Sequence, residues 1–176
     1  MIKLLIAHAG KTGTTKTCVE ILKSHLKGLA ITEVDLNEAD ADPSEFDYAI
    51  VGGSVRFAKP HRALLTFLER HGDALASVPH GLFLCCGFGH DFEEYSERYF
   101  SSKLRESAFS VMSFGGSLKL KNASIWEKIL LHMIRSHIAE SEIDDGEYTP
   151  TMPGILPENI SMMASRLRTQ IDRDNR

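Results

Sequence analysis

Cysteine is scarce in this chain: Cys18, Cys85 and Cys86 are all that occur in 176 residues. An odd count with two adjacent members gives no disulfide framework, and no Cys-x-x-Cys or Cys/His spacing marks a zinc site. A reducing cytoplasm is the expected setting. Long apolar runs are missing too, none approaching the roughly 18 residues that a membrane span needs. Met1-Ile2-Lys3 leads straight into a strand pattern, so no signal peptide is expected. Positive charge is not in excess: a net charge of −4 and a pI near 6.1 argue against a whole-surface nucleic-acid binder. Internal repeats and low-complexity segments are absent. What remains, 43% hydrophobic and 25% charged residues, suits one soluble globular domain with a full core.

The stretch that organises the rest is LLIAHAGKTGTTKT, residues 4–17. Leu4, Leu5, Ile6 and Ala7 form an apolar run of strand length that stops at Gly10. From about Thr14 the spacing becomes helical, with Cys18, Ile21, Leu22, His25 and Leu26 three and four apart. A strand feeding a helix through Gly and Thr suits phosphate, because the helix start offers unpaired N–H groups and the positive end of its dipole. Gly13 lets backbone approach a ligand without a Cβ in the way.

Three readings of this loop compete. Residues 10–17 miss the P-loop pattern G-x-x-x-x-G-K-S/T at Thr15, where a β-branched residue replaces the second Gly and suits a positive φ poorly. Thr12, Gly13 and Thr15 match the flavodoxin phosphate loop S/T-x-T-G-x-T, with Gly10 departing from it by one hydroxyl. An ordinary strand-to-helix turn with a Thr N-cap explains one Thr but not the cluster. The flavodoxin reading is favoured.

Further strands are expected at residues 29–36 (near a sheet edge), 46–51, 81–86 and 109–114. Helical spacing recurs at 64–75, in one or two pieces across 90–108, at 125–138 and at 160–167, with a frayed tail from Asp172. Residues 37–45 read as an acidic connection and 140–157 as irregular. Alternation of strands and helices predicts an α/β fold with a parallel sheet covered on both faces. The likeness of the loop to flavodoxin implies a flavodoxin-like three-layer sandwich, residues 1–176 forming one domain around a five-stranded parallel sheet in order 2-1-3-4-5. Three strands are expected to end in small residues, Gly10, Gly52-Gly53-Ser54 and Gly87-Phe88-Gly89. In that order their loops line the crevice where ligands bind.

FDYAIVGGSVRFAKPHRALLTFLERH, residues 46–71, with Gly115-Gly116-Ser117-Leu118 and the following Trp-containing helix, resembles the menaquinone-dependent protoporphyrinogen IX dehydrogenases. These are flavodoxin-fold, FMN-binding enzymes of haem biosynthesis, and bacterial flavodoxin-domain proteins are as similar. The resemblance implies that Gly10, Lys11, Thr12, Gly13, Thr14 and Thr15 wrap the FMN phosphate. It implies that Ser54, Val55, Arg56 and Phe57 border one side of the flavin ring, with Cys86, Gly87, Phe88 and Gly89 on the other. Gly115 and Gly116 could line the ribityl end. Two departures stand out: residues 90–97 are acidic where the enterobacterial-type enzyme carries a long basic loop, and Gly10 replaces a hydroxyl residue.

An electron-carrying flavodoxin would instead present an acidic rim. Here Arg56, Lys59, His61 and Arg62 surround Phe57, a rim suited to an anionic small-molecule substrate rather than a basic redox partner protein. Arg56 and His61 are the candidate catalytic residues, His61 as a proton relay. A surface role for His61, a satisfied core role for His8 and buried inert thiols at Cys85 and Cys86 are the plainer alternatives. Trp126, Ile129, Met133 and Ile134 are expected to face the core, with peripheral contact to a membrane quinone pool at the inner membrane face as the lesser alternative.

Overall fold

A computed structural model describes residues 1–87, 91–116 and 154–176. They belong to one compact unit comprising residues 1–117 and 153–176. The expected helix over 125–138, Trp126 and most of the 140–157 segment lie outside the described residues.

The apolar runs fold as parallel strands: β1 (Lys3–Ala9), β2 (Ala30–Asp35), β3 (Tyr48–Arg56), β5 (His80–Cys85) and β6 (Ser110–Ser113). Their order is β2-β1-β3-β5-β6, and a two-residue β4 (Lys59–Pro60) pairs antiparallel with β3. Without β4 this is the expected 2-1-3-4-5 order, and β2 is an edge strand as its polar alternation predicted. Helices α1 (Thr14–His25) and α5 (Pro157–Asp174) cover one face; α2 (Arg62–Ala76) and α4 (Ser102–Ser107) pack on the other, with α3 (Phe92–Tyr99) preceding α4. Leu4, Ile6, Ile50 and Phe83 point into the α1/α5 core, and their neighbours Leu5, Ala49, Val51 and Leu84 into the α2 core. This two-sided apolar alternation is what a doubly covered parallel strand requires. Among the described residues no helix is long and apolar enough to cross a membrane.

Two expectations need correction. The third strand does not end at Gly52-Gly53-Ser54; it runs through them to Arg56. A Cβ on Gly52 would lie 2.1 Å from the Phe83 carbonyl oxygen and 2.5 Å from its ring, and one on Gly53 would lie 2.7 Å from the Ala9 carbonyl oxygen. These glycines answer crowding inside the sheet rather than a turn. The last helix is not frayed from Asp172, because α5 continues to Asp174, whose carboxylate accepts a 2.8 Å hydrogen bond from the Tyr48 hydroxyl. Burial and that carboxylate push the Tyr48 phenol up to about 12.

His8 is a satisfied core group, as its plainer reading held. Its Nε2 lies 3.0 Å from Glu33 Oε1, and Lys23 donates to the other Glu33 oxygen at 2.6 Å. Burial pushes the Glu33 carboxyl up, but Lys23 and His8 outweigh it and hold it below the usual range.

Gly52→Ala is expected to destabilise the chain by about 2 kcal/mol or more, since the new methyl overlaps backbone rather than a movable side chain. A midpoint shift of at least that size in urea unfolding, with the m-value retained, is the check.

Candidate functional site

The chain leaves β1 at Ala9, bends through Gly10–Thr12, and enters α1 after Gly13, the N-cap, at φ 85°. The left-handed residue is thus Gly13, whereas Thr15 lies within the helix, which suits its β-branched side chain. The N-cap is Gly13, not a Thr, so the disfavoured reading of a plain turn with a Thr N-cap does not hold, and the first turn carries no acidic residue. The positive end of the helix dipole therefore meets no carboxylate from its own first turn.

A Cβ on Gly10 would lie 2.7 Å from Thr15 Oγ1 and 2.9 Å from Thr15 Cβ. Thr15 therefore stands where a side chain on residue 10 would stand. Its hydroxyl is buried and has no hydrogen-bond partner among the described residues, and the Ser54 hydroxyl is in the same condition. Ala9 pairs with Gly53, and Ser54 with Cys85, so Ser54 sits beside the β1 exit. Strand alternation from Tyr48 and Ile50 puts Ser54 on the α1 side of the sheet. Two orphaned hydroxyls at one strand end, next to a helix N-terminus, are costly unless an acceptor joins them. A phosphate monoester supplies such acceptors, and these residues fit one.

The lining residues differ in character. Lys11 lies close enough to His61 to lower its pKa. Asn37, which the sequence reading passed over as part of a connection, donates from Nδ2 to the Gly10 carbonyl at 3.1 Å and to Asp35 at 2.7 Å, tying the loop to the end of β2. Only a general preference of Asn for turns could have flagged it. Cys86 is buried, 3.4 Å from the Ser113 hydroxyl, and burial pushes its thiol up. The Cys85 thiol, through its contact with Cys18 and by burial, is pushed well above its ordinary value, with the nearby Thr15 hydroxyl acting the other way. A Cβ on Gly116 would meet the Cys86–Gly87 backbone at 2.7 Å, so the loops after β5 and β6 touch there. Phe88 and Gly89 lie outside the described residues.

Val55, Arg56 and Phe57, expected in a loop, occupy a β-hairpin. Val55 pairs with Pro60 and Arg56 with Lys59, leaving Phe57 and Ala58 as a two-residue turn at φ 50° and 59°. Positive φ at both positions is the type I′ pattern, normally filled by Asn-Gly. Each non-glycine residue there costs on the order of 1 kcal/mol. Tyr99 donates to the Ala58 carbonyl at 2.8 Å, and the Arg56 guanidinium carbon lies 5.8 Å from the Phe57 ring centre.

His61 follows as the N-cap of α2, its Nδ1 accepting from the Ala63 amide at 3.3 Å. The proton of the neutral ring therefore sits on Nε2. Burial, with Lys11 and Arg56 adding repulsion against Asp35, lowers its pKa below 6.5. His61 also lines a cleft of about 570 Å³ between the segment after β2 and α2, with Asn37, Glu38, Arg62 and Phe67. The structure thus gathers residues 10–15, Ser54, Arg56, His61 and Cys86 at the carboxyl ends of the central strands.

A flavodoxin domain model matches residues 5–144. The chain belongs to the flavodoxin domain family. Among solved structures it is similar to a short-chain flavodoxin associated with a PDU bacterial microcompartment, at 14% identity and TM-score 0.58, covering 97% of this chain and 99% of that one. Fusobacterium nucleatum flavodoxin bound to flavin mononucleotide gives 15% identity and TM-score 0.58, with the same 97% and 99% coverage. Streptococcus pneumoniae TIGR4 flavodoxin gives 16% and 0.51, covering 96% and 99%. At these identities the likeness establishes the fold. No curated protein matches the chain.

Two outcomes are expected here. Because the folded His61 pKa is lowered, the unfolded chain binds more protons near and below pH 6.5, so this group's contribution to stability falls as pH drops through that region. His61→Asn, which keeps an N-cap acceptor, should flatten that part of the stability–pH curve, and the imidazole NMR titration should have its midpoint below 6.5. Replacing the turn by Asn-Gly, Phe57→Asn with Ala58→Gly, should raise stability by about 1 kcal/mol or more on thermal unfolding.

Proposed function

We propose that the chain binds FMN and works as a flavodoxin-like electron-transfer protein. The observation that carries this is the pair of buried hydroxyls without a partner among the described residues, Thr15 and Ser54, beside the start of α1 at Gly13. The FMN-bound flavodoxin of the same fold supports the choice of cofactor. When bound, FMN supplies one- and two-electron redox chemistry.

The chain's own part is binding and electrostatics. Thr12, Thr14, Thr15 and the first amides of α1 hold the phosphate, with Lys11 alongside. Gly10, by lacking a side chain, leaves Thr15 its place. Val55, Arg56 and Phe57 border one side of the ring, and Cys86 and Gly87 the other. The raised Cys86 pKa keeps that thiol neutral, so it adds no negative charge beside the ring. His61, neutral with its proton on Nε2, can donate a hydrogen bond there without adding a cation.

A second reading, a quinone-linked dehydrogenase of the protoporphyrinogen IX type, is favoured by the cations of residues 56–62. Under it Arg56 holds an anionic substrate and His61 relays a proton. Anaerobic reduction of the FMN-loaded protein by protoporphyrinogen, compared with reduction by a flavodoxin reductase, separates the two.

Thr15→Val and Ser54→Ala test the cofactor site. Each should weaken FMN binding by about tenfold, read by flavin fluorescence quenching, because a charge-assisted hydrogen bond is lost. Each should leave the melting temperature of the cofactor-free chain unchanged or raised, because an unpaired buried hydroxyl is removed. A wild-type chain that is colourless and does not take up added FMN would overturn the proposal.

A further inference from the structure

We infer that the tip of the β3–β4 hairpin is a docking site for an acidic protein surface. The inference takes its purpose from the electron-transfer reading above, while the contact itself requires no cofactor.

Three unfavourable choices fall within residues 56–62, beside the cross-strand pairing of Arg56 with Lys59. Phe57 and Ala58 hold left-handed backbone without being glycine. Phe57 is 40% exposed, one of three large hydrophobics so exposed among the described residues. Arg62 opens α2 at the positive end of its dipole, with no acidic residue in that first turn. Each is mildly destabilising alone. An anionic partner would be attracted by Lys59 and Arg62 and would cover the Phe57 ring.

The hairpin is also held in place. The His61 amide donates to the Ser54 carbonyl at 2.9 Å, closing its base, and the Tyr99 hydroxyl fixes the Ala58 carbonyl at its tip. Lys59 forms no ion pair or hydrogen bond with any described residue, so its ammonium is available. Phe57, Ala58 and Lys59 are consecutive exposed residues on a two-residue turn, which makes the tip convex. Small-molecule sites are concave, whereas an aromatic ringed by cations on a projection is the kind of anchor that protein interfaces use. The charge here opposes the chain's net −4, so the partner surface is acidic at the contact.

The test uses the full chain with a plant-type two-iron ferredoxin as the acidic probe and cytochrome c as the basic one. Calorimetric titration at low salt should show the ferredoxin binding more tightly than cytochrome c, with affinity falling as salt rises. Lys59→Glu should weaken ferredoxin binding by about tenfold and Lys59→Arg should restore it, with FMN affinity unchanged in both within about twofold. Carbodiimide coupling should join the Lys59 amine to a ferredoxin carboxylate, located by peptide mass spectrometry. Tighter binding of cytochrome c, no loss with Lys59→Glu, or coupling only at lysines away from the hairpin would overturn the inference. Lys59-dependent ferredoxin binding by a chain that takes up no FMN would uphold the docking site while removing the flavin reading.

Discussion

The contact between Gly10 and Thr15 governs the carboxyl end of the sheet. Residue 10 has no side chain, and the Thr15 side chain occupies its place, packed against the loop from the first turn of α1. That contact fixes how closely the helix approaches the strand ends, and Gly13 provides the left-handed step that lets α1 begin there. A side chain at residue 10, as the flavodoxin pattern has it, would require Thr15 to shift from this position. The loop keeps the Thr15 donor of that pattern and lacks the one at residue 10.

The same neighbourhood explains the length of β3. Ser54 reaches the β1 exit only because the strand continues through Gly52 and Gly53, which pass between the Ala9 carbonyl and Phe83 where no Cβ fits. Continuing to Arg56, it closes into a hairpin whose base is His61, and so brings the start of α2 to the rim. Phosphate-loop residues, hairpin and α2 cap are thereby set by three neighbouring strands, with Asn37 adding a tie from a fourth.

Much of this was legible in the residues. Apolar runs located the strands, their alternation with helices gave a doubly covered parallel sheet, and Gly-Lys-Thr-Gly-Thr-Thr marked the loop whose flavodoxin likeness implied the strand order, because each of these signals is local. The misreadings have non-local causes. Gly52-Gly53 looks like the end of a strand, since nothing nearby in sequence reveals the Phe83 carbonyl against them. Phe57-Ala58 carries no turn chemistry, and pairing of Arg56 with Lys59 makes the turn regardless. The last helix outlasts its apolar spacing because Tyr48, 126 positions earlier, holds Asp174. Asn37 was hidden because its partners are a carbonyl 27 residues away and its near neighbour Asp35.

The Lys23–Glu33–His8 chain of contacts bears on how this molecule avoids its own kind. β2 is an outer strand, and an outer strand invites another chain to extend the sheet. Glu33 and Asp35 put carboxylates along it, and Glu33 is committed to groups on β1 and α1. A second copy adding itself at this border would have to dehydrate those carboxylates or strip Glu33 from His8 and Lys23. The arrangement that satisfies a buried imidazole also guards the sheet against fibrous self-association.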